Sequence, residues 1–161
     1  MAVARSAPDG AQISVYDAHP ERSSTRVATG IVNPVVLKRR RVVWRAAEAL
    51  AVAADFYPAE FRSSEPIYEV LRSPDEVNDW NALADHPALG AYLGALSDVP
   101  AGISGLCLGA VNGSFRVSLN EFVGWALEGV ERCPEAVVSL EPLPDGGWRI
   151  NGDRVFDVVV L

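Results

Sequence analysis

The sequence predicts an α/β fold on three observations. Residues 11–16 form a short β-type run that ends on an acid, Asp17. Apolar residues recur at helical spacing between residues 38 and 54. Residues 158–161 form a continuous apolar run, which is typical of a strand buried on both faces of a parallel sheet. A sequence that combines such strands and helices predicts a sheet with helices packed against it.

The first strand is followed by a polar stretch of small residues at 21–30, and Asn33 and Pro34 then favour an extended backbone or a turn. A helix is predicted from the basic run at residues 38–41 to about residue 54. A contact with phosphate or a partner is one interpretation of this basic run, and the solvated start of the helix is the interpretation that we favour. The apolar face of the helix is formed by Val43, Ala47, Leu50 and Ala54, with Trp44 beside it.

The middle of the chain alternates between the two kinds of element. Residues 66–71 have the pattern of a strand, and Ser73 and Pro74 then start a helix as the N-cap and first helical residues. A second short helix is predicted over residues 88–96. Two β-type runs at 104–110 and 114–119 flank Asn112 and Gly113, which predicts a β-hairpin.

The last third of the chain begins with a helix that Ser118 caps, with Glu121 completing a capping box. Three β-type runs follow at residues 137–140, 148–150 and 155–161, with a turn at 145–147 between the first two. The tryptophans on helical faces are assigned to the core. They are Trp44, Trp80 and Trp125.

Composition excludes several classes of function. In the 161 residues, 14 Lys and Arg against 21 Asp and Glu give a net charge of −7, which disfavours a general nucleic-acid binder. Two Cys and two His do not suffice for a disulfide framework or the usual four-ligand zinc site, so no metal is expected. No apolar run is long enough for a membrane helix, and the first residues lack the apolar core of a secretory signal. We therefore expect a cytoplasmic protein that binds small molecules or protein partners.

The remaining His and Cys residues are interpreted as structural. His19 and His86 each precede a proline, and no acid or nucleophile partner is visible for them in the sequence. Cys107 and Cys133 are expected to be buried thiols and not a redox pair.

Asp17 carries the one pattern that points to a specific ligand. A strand that ends in an acid is the second half of a dinucleotide-binding unit, where the carboxylate accepts hydrogen bonds from a ribose diol. An acid at a strand end is also common as a plain turn residue. The first half of such a unit, a strand and a Gly-x-Gly-x-x-Gly turn, is not found in the sequence.

The segment at residues 13–34, ISVYDAHPERSSTRVATGIVNP, resembles flavoproteins of the D-amino-acid oxidase/glycine oxidase (DAO) superfamily. The resemblance continues at residues 67–80, 113–127 and 155–161, and the order of several short motifs carries it. The matching residues of the first stretch and its continuation are Ser23, Ser24, Ala28, Gly30, Asn33, Pro34, Arg39 to Arg41, Trp44 and Arg45.

The resemblance implies a partial FAD-binding, Rossmann-like sheet formed by residues 1–54 and 118–161. A small mixed α+β substrate lobe, residues 55–117, would interrupt this sheet.

By the same resemblance, Asp17 would hold the adenosine ribose of FAD, and Ser23 and Ser24 would contact its pyrophosphate. Ala28 and Gly30 would let the backbone approach the isoalloxazine ring, with Thr29 where the family often has Ala or Gly. Val138 would offer backbone contacts to the adenine.

The activity that the resemblance implies is oxidation of a C–N bond in a small amine or amino acid. The flavin takes up a hydride from the carbon next to the amine and is then reoxidised by dioxygen or another acceptor. No catalytic residue is identified.

Because the Gly-rich turn, the flavin loop after the last strand and the family's C-terminal half have no counterpart in the sequence, we expect an inactive segment of a larger enzyme. The alternative is a complete small α+β binding or interaction module that has lost flavin.

Overall fold

The computed structural model describes residues 7–63 and 65–160, and the mixed α/β class is confirmed in that part of the chain. The α-helices described there are α1 (Ser24–Val27), α2 (Ala46–Phe56), α3 (Pro74–Ala84) and α4 (Leu119–Ala126). Short strands form several small sheets. Contacts divide the chain into a terminal unit, which combines residues 7–26 with 125–160, and a central unit, residues 27–124. The predicted boundaries after residues 54 and 117 stay a prediction.

The terminal unit contains one parallel strand pair and one antiparallel sheet. Strand β1 (Ser14–Tyr16) is parallel to β9 (Glu131–Cys133). Strands β10 (Leu140–Pro142), β11 (Trp148–Ile150) and β12 (Arg154–Phe156) follow one another as an antiparallel meander. The predicted strand at residues 11–16 is therefore confirmed over its last three residues, and β9 is a strand that the sequence reading missed.

The central unit is built on a three-stranded antiparallel sheet in the order β5-β7-β6. Its strands are β5 (Ile67–Leu71), β7 (Cys107–Val111) and β6 (Leu93–Ser97). Two short pairs accompany it in the same unit. They are β2 (Ile31–Val32) with β8 (Phe115–Arg116), and β3 (Val35–Val36) with β4 (Arg41–Val42).

Helix α3 and the burial of Trp80 follow from the sequence as predicted. The Ser73 side chain accepts a hydrogen bond from the backbone N–H of Glu76, at 3.2 Å, and Pro74 starts the helix. Trp80 is 1% exposed, and its indole N–H donates to the carbonyl of Gly94 at 3.1 Å. The buried cluster around it contains Val35, Leu71, Leu89, Leu93 and Val111.

Helix α2 begins later than predicted. Arg40 and Arg45 have φ angles of 47° and 52°, a left-handed conformation that a right-handed helix cannot pass through. The basic run at 38–41 is instead the tip of the β3–β4 hairpin, and α2 starts only at Ala46. The interpretation of this run as the start of a helix is wrong.

The predicted helix over residues 88–96 is also wrong. Leu89 and Leu93 are both buried and lie four residues apart, which imitates a helical face. From Leu93 onward, burial alternates along the chain because the segment is strand β6 at the edge of β7.

The predicted hairpin around Asn112 and Gly113 is half right. The strands and the turn are present, with Gly113 at φ 74°, but β7 and β8 do not pair with each other. Both edges of β7 are already occupied by β5 and β6, so β8 pairs with β2 in a separate sheet. Beside the turn, Ser114 Oγ accepts the N–H of Ile67 at 2.7 Å.

The predicted final strand over residues 155–161 is wrong in its length and environment. Strand β12 ends at Phe156 and pairs antiparallel with β11. Val158 and Val160 are 74% and 65% exposed, so this apolar run is not buried, and Leu161 lies outside the described residues. An apolar run alone does not show which partner strands are available to cover it.

Two of the three tryptophans that were assigned to the core lie at the surface. Trp44 is 81% exposed because it lies in the turn before α2, and Trp125, in the last turn of α4, is 38% exposed. The described residues contain no helix with both the length and the apolar character needed to span a bilayer.

The contact between Trp80 and Gly109 gives a test of this core. A Cβ built at Gly109 would lie 2.6 Å from the Trp80 ring, whereas a Cβ at Gly124 in α4 would meet nothing within 4 Å. We expect Gly109→Ala to lower the free energy of unfolding by about 2 kcal/mol through overpacking. Gly124→Ala should raise it by about 1 kcal/mol through helix propensity. Urea unfolding checks both, and an equal effect of the two substitutions would contradict this packing.

Candidate functional site

Asp17 lies directly after β1, at the carboxyl end of a strand with a parallel neighbour. Its backbone N–H donates to the carbonyl of Cys133 at 3.0 Å, which extends the β1–β9 pairing by one step. Its side-chain Oδ1 accepts the N–H of His19 at 3.2 Å, as in an Asx turn. The side chain is exposed. A carboxylate has about four acceptor positions, so this one turn contact leaves Asp17 able to accept hydrogen bonds from a ligand.

Arg154 holds the two strands that place Asp17. Its guanidinium donates to both carboxylate oxygens of Glu131, at 2.6 and 3.1 Å, and to Ser14 Oγ at 3.3 Å. Ser14 Oγ donates in turn to Glu131 at 2.5 Å. Since Ser14 and Glu131 are opposite each other in the β1–β9 register, Arg154 ties β12 to both strands of the parallel pair.

Aromatic rings complete the surroundings of Arg154. The guanidinium carbon lies 5.8 Å from the ring centroid of Tyr16 and 5.3 Å from that of Phe156, and the two rings meet edge to face. Cys133 Sγ is 3.1 Å from a guanidinium nitrogen. This group of residues, the Arg154 cluster, is therefore a partly exposed ion pair with two aromatic rings beside it.

Hydrogen bonds, charges and burial shift the pKa values of three residues in the Arg154 cluster. Hydrogen bonds from Arg154 and then from Ser14 hold the pKa of Glu131 below its ordinary value, and the bond to Glu131 raises the pKa of Arg154. Burial raises the pKa of the Tyr16 phenol, against the opposing charge of Arg154. Glu131 and Arg154 thus remain an ion pair at neutral pH.

The loop after Asp17 contains Ser23 and Ser24. Ser23 is half-buried, and its carbonyl accepts the N–H of Arg26 at 3.1 Å. Ser24 is exposed and begins α1, which has only four residues. Ser23 and Ser24 thus lie at the start of a single helical turn, and their contact with a pyrophosphate stays a prediction.

Ala28, Thr29 and Gly30 line one cavity of the central unit, with a volume of about 340 Å³. Most of the other side chains that line the cavity are aliphatic, and Tyr57 adds an aromatic ring. The other lining residues are Ile31, Val32, Tyr57, Val117 and Leu119. Tyr57 is fixed by edge-to-face contact with Phe122, at 4.9 Å between ring centroids. The cavity is open to solvent, since Ala28 and Thr29 are exposed and Ile31 is 53% exposed.

Gly30 is required by the packing of the chain itself. Its φ angle is 67°, and a Cβ at this position would lie 2.1 Å from the carbonyl oxygen of Val117. The Gly30 carbonyl also accepts the N–H of Val117 at 2.9 Å. The glycine therefore brings the backbone at residues 28–30 against the end of β8, which forms one side of the cavity.

Val138 is 84% exposed and lies before β10 in the terminal unit. Its backbone N–H donates to the side-chain oxygen of Asn151 at 2.9 Å, so the turn after β11 occupies this donor. If Val138 contacts adenine as predicted, it would do so through its backbone carbonyl.

The structure thus brings together three of the sequence-predicted residues, Ala28, Thr29 and Gly30, at one cavity. Asp17, Ser23, Ser24 and Val138 belong to the terminal unit. Two residues of these sites are not predicted from the sequence. They are Tyr57, which lines the cavity, and Arg154, which contacts Ser14 of β1 and Glu131 of β9. The only signal for Tyr57 was its position before Pro58 at the end of a helix.

The His and Cys residues do not form a metal site in the part of the chain that the structure describes. Cys107 and Cys133 are free and half-buried, so the expected full burial is wrong. His86 accepts the N–H of Ala88 at its Nδ1, at 3.2 Å, which is a structural role of the expected kind.

Comparisons with protein-family models, with curated proteins and with solved structures found no match to this chain.

The ion pair between Glu131 and Arg154 gives a prediction of pH dependence. A carboxyl group whose pKa is lowered by folding stabilises the protein fully above its ordinary value of 4.5 and loses that effect as pH falls through the lowered pKa. We expect Glu131→Gln to destabilise the protein at neutral pH and to differ progressively less from the unmodified chain on acidification.

Urea unfolding between about pH 7 and pH 3 measures this difference. Glu135→Gln is the matched control, because Glu135 is exposed and forms no ion pair within the described residues. A difference for Glu131→Gln that stays constant over the whole pH range would contradict the ion-pair origin.

Proposed function

We propose that this chain is part of a cytoplasmic FAD-dependent oxidoreductase of the DAO superfamily, which oxidises a C–N bond in a small amine or amino acid. The cavity that Ala28, Thr29 and Gly30 line is the observation that carries the proposal. The family resemblance implies that these residues contact the isoalloxazine ring, and in the structure they line one cavity with a volume of about 340 Å³.

The residues of the cavity fit a planar ring system in character. Apolar side chains form most of the wall, and the backbone at residues 28–30 forms one side without a side chain at Gly30. The Tyr57 ring supplies an aromatic surface, which favours contact with another flat ring. Ala28 to Gly30 would receive the ring edge here.

The surroundings of Asp17 support the other half of the proposal. An exposed carboxylate at the carboxyl end of a strand with a parallel neighbour suits a ribose diol. Asp17 would accept hydrogen bonds from the two ribose hydroxyls, and Arg154 would keep β1 and β9 in place behind it. The Rossmann-like sheet is proposed on this pair and on the order of the sequence motifs.

When bound, FAD would supply the redox chemistry by taking up a hydride from the carbon that bears the amine, while the nitrogen gives up a proton. The part of the chain described here would bind and orient the cofactor. The residues that position the substrate belong to the remainder of the enzyme, so we propose that the chain on its own is inactive.

Genomic DNA on either side of the coding region tests the proposal. We expect an upstream sequence in the same frame that encodes a strand and a Gly-x-Gly-x-x-Gly turn, and a downstream continuation with Ala-x-Gly. The chain as purified should be colourless, because the phosphate-binding turn is needed to retain FAD. Stop codons on both sides, together with a monodisperse purified chain, would overturn the proposal in favour of a binding module.

The cavity can be tested on the longer gene product. Thr29→Trp would place an indole ring in the cavity, so we expect the flavin content of the purified enzyme to fall by roughly tenfold. Val52→Trp is the control, because Val52 is exposed on α2 and does not line the cavity. Unchanged flavin absorbance in Thr29→Trp would show that the ring binds elsewhere.

A further inference from the structure

The β3–β4 hairpin and the turn after it carry the strongest unexplained surface of the central unit. We define the basic hairpin as residues 36–45, from the last residue of β3 to the residue before α2. It contains five of the fourteen Lys and Arg residues of a chain whose net charge is −7. They are Lys38, Arg39, Arg40, Arg41 and Arg45.

Two of these cations are neutralised within the central unit. Arg40 is half-buried, pairs with Glu69 on β5 and lies over the Trp80 ring, 5.7 Å from its centroid. Arg45 pairs with Glu48 in the first turn of α2. These contacts fix the tip of the basic hairpin at Arg40 and its last residue, Arg45, and they leave the other three cations without a partner among the described residues.

The other three cations are exposed and unpaired. Lys38, Arg39 and Arg41 form no ion pair among residues 7–63 and 65–160, and all three are exposed. They flank Arg40, whose contacts with Glu69 and Trp80 hold the tip of the hairpin against the core. The hairpin therefore presents three cations to solvent on a fixed backbone, and such a surface attracts anionic partners.

The basic hairpin also carries exposed apolar side chains. In the β3–β4 register Val36 is opposite Arg41, and Val35 is opposite Val42, so each pair shares one face. Val35 and Val42 face the core, which leaves Val36 and Arg41 outward. Val36 is 41% exposed, Val43 is 38% exposed, and Trp44 is 81% exposed at the end of the hairpin.

We propose that the basic hairpin is a peripheral docking site for a bilayer surface rich in anionic lipids. Lys and Arg near such a surface are attracted to its negative potential, and Trp prefers the headgroup region where its ring is half in apolar surroundings. Val36 and Val43 gain from contact with the upper acyl chains. Charge complementarity and this apolar rim together favour a lipid surface.

A single-stranded nucleic acid is the other anionic partner to weigh. It would use Trp44 as a stacking surface, but one face of that ring is already approached by the Arg45 guanidinium, at 5.2 Å from the centroid. A phosphate backbone also gives no apolar contact to the two valines. The side chains of the hairpin thus match a lipid interface better.

Flotation of the purified full chain with lipid vesicles tests the proposal. We expect binding to phosphatidylcholine vesicles that contain about 30 mol% phosphatidylglycerol, little binding to phosphatidylcholine alone, and weakening at high salt. Lys38→Glu combined with Arg39→Glu should lower the partition coefficient by at least about 25-fold, at about fivefold for each lost cation. Trp44→Ala should lower it roughly tenfold.

Matched control variants distinguish the effect of the basic hairpin on vesicle binding from the effects of net charge and of tryptophan content. Arg72→Glu combined with Arg132→Glu changes the net charge equally, at exposed residues without an ion pair in the described part of the chain, and should alter binding by less than about twofold. Trp125→Ala should likewise leave binding intact. Because Trp44 and the two exchanged cations are exposed, circular dichroism should show an unchanged fold in their variants.

Three results would overturn the proposal. The first is no binding of the unmodified chain to anionic vesicles, and the second is an equal loss in both charge-reversed pairs. The third is binding of a labelled single-stranded oligonucleotide that depends on Lys38, Arg39 and Trp44 while vesicles do not bind, which would make the hairpin a nucleic-acid surface. None of these depends on flavin binding or on the flanking DNA.

Discussion

The indole ring of Trp80 lies directly on the backbone of Gly109, and the packing of the central unit depends on this contact. Helix α3 carries the ring to the middle strand of the β5-β7-β6 sheet, where the missing side chain leaves room for it. Because the ring fills the space between helix and sheet, the residues around it reach full burial. The indole N–H is bound to Gly94 of β6, which fixes the rotation of the ring as well as its position.

The same ring connects the core to the surface. The Arg40 guanidinium lies over Trp80 and pairs with Glu69, so a cation of the hairpin tip is held at the edge of the core. Leu37 and Val42 of the hairpin pack against the buried cluster around Trp80. Because Leu37 and Val42 are fixed against the core, the turn between them lies at the surface. This explains why Lys38 and Arg39 are exposed.

Much of the fold could be predicted where a local signal has a local cause. Ser73 and Pro74 start α3 because capping needs only the residues next to them, and Trp80 is buried as its helical position indicates. The errors concern partners that are distant in the sequence. The apolar residues around Leu93 fit the spacing of a helix as well as that of a strand. Only the pairing of this segment with β7 shows that it is a strand. The role of residues 28–30 at a flavin is implied only by the resemblance and stays a prediction, whereas no local pattern indicates Arg154, since its partners lie up to 140 residues away.

Backbone conformation at Arg40 and Arg45 gives the basic hairpin its physical definition. Each has a left-handed φ angle, which costs an L-residue with a side chain roughly 1–2 kcal/mol and which glycine would adopt freely. The sequence has arginine at both positions, and each side chain is used: one against Trp80 and Glu69, the other against Trp44 and Glu48. These contacts offset the strain and set the two bends of the segment. The strained backbone thereby holds three exposed cations and an exposed indole on one short segment, whereas a regular helix through residues 38–54 would distribute them around its circumference.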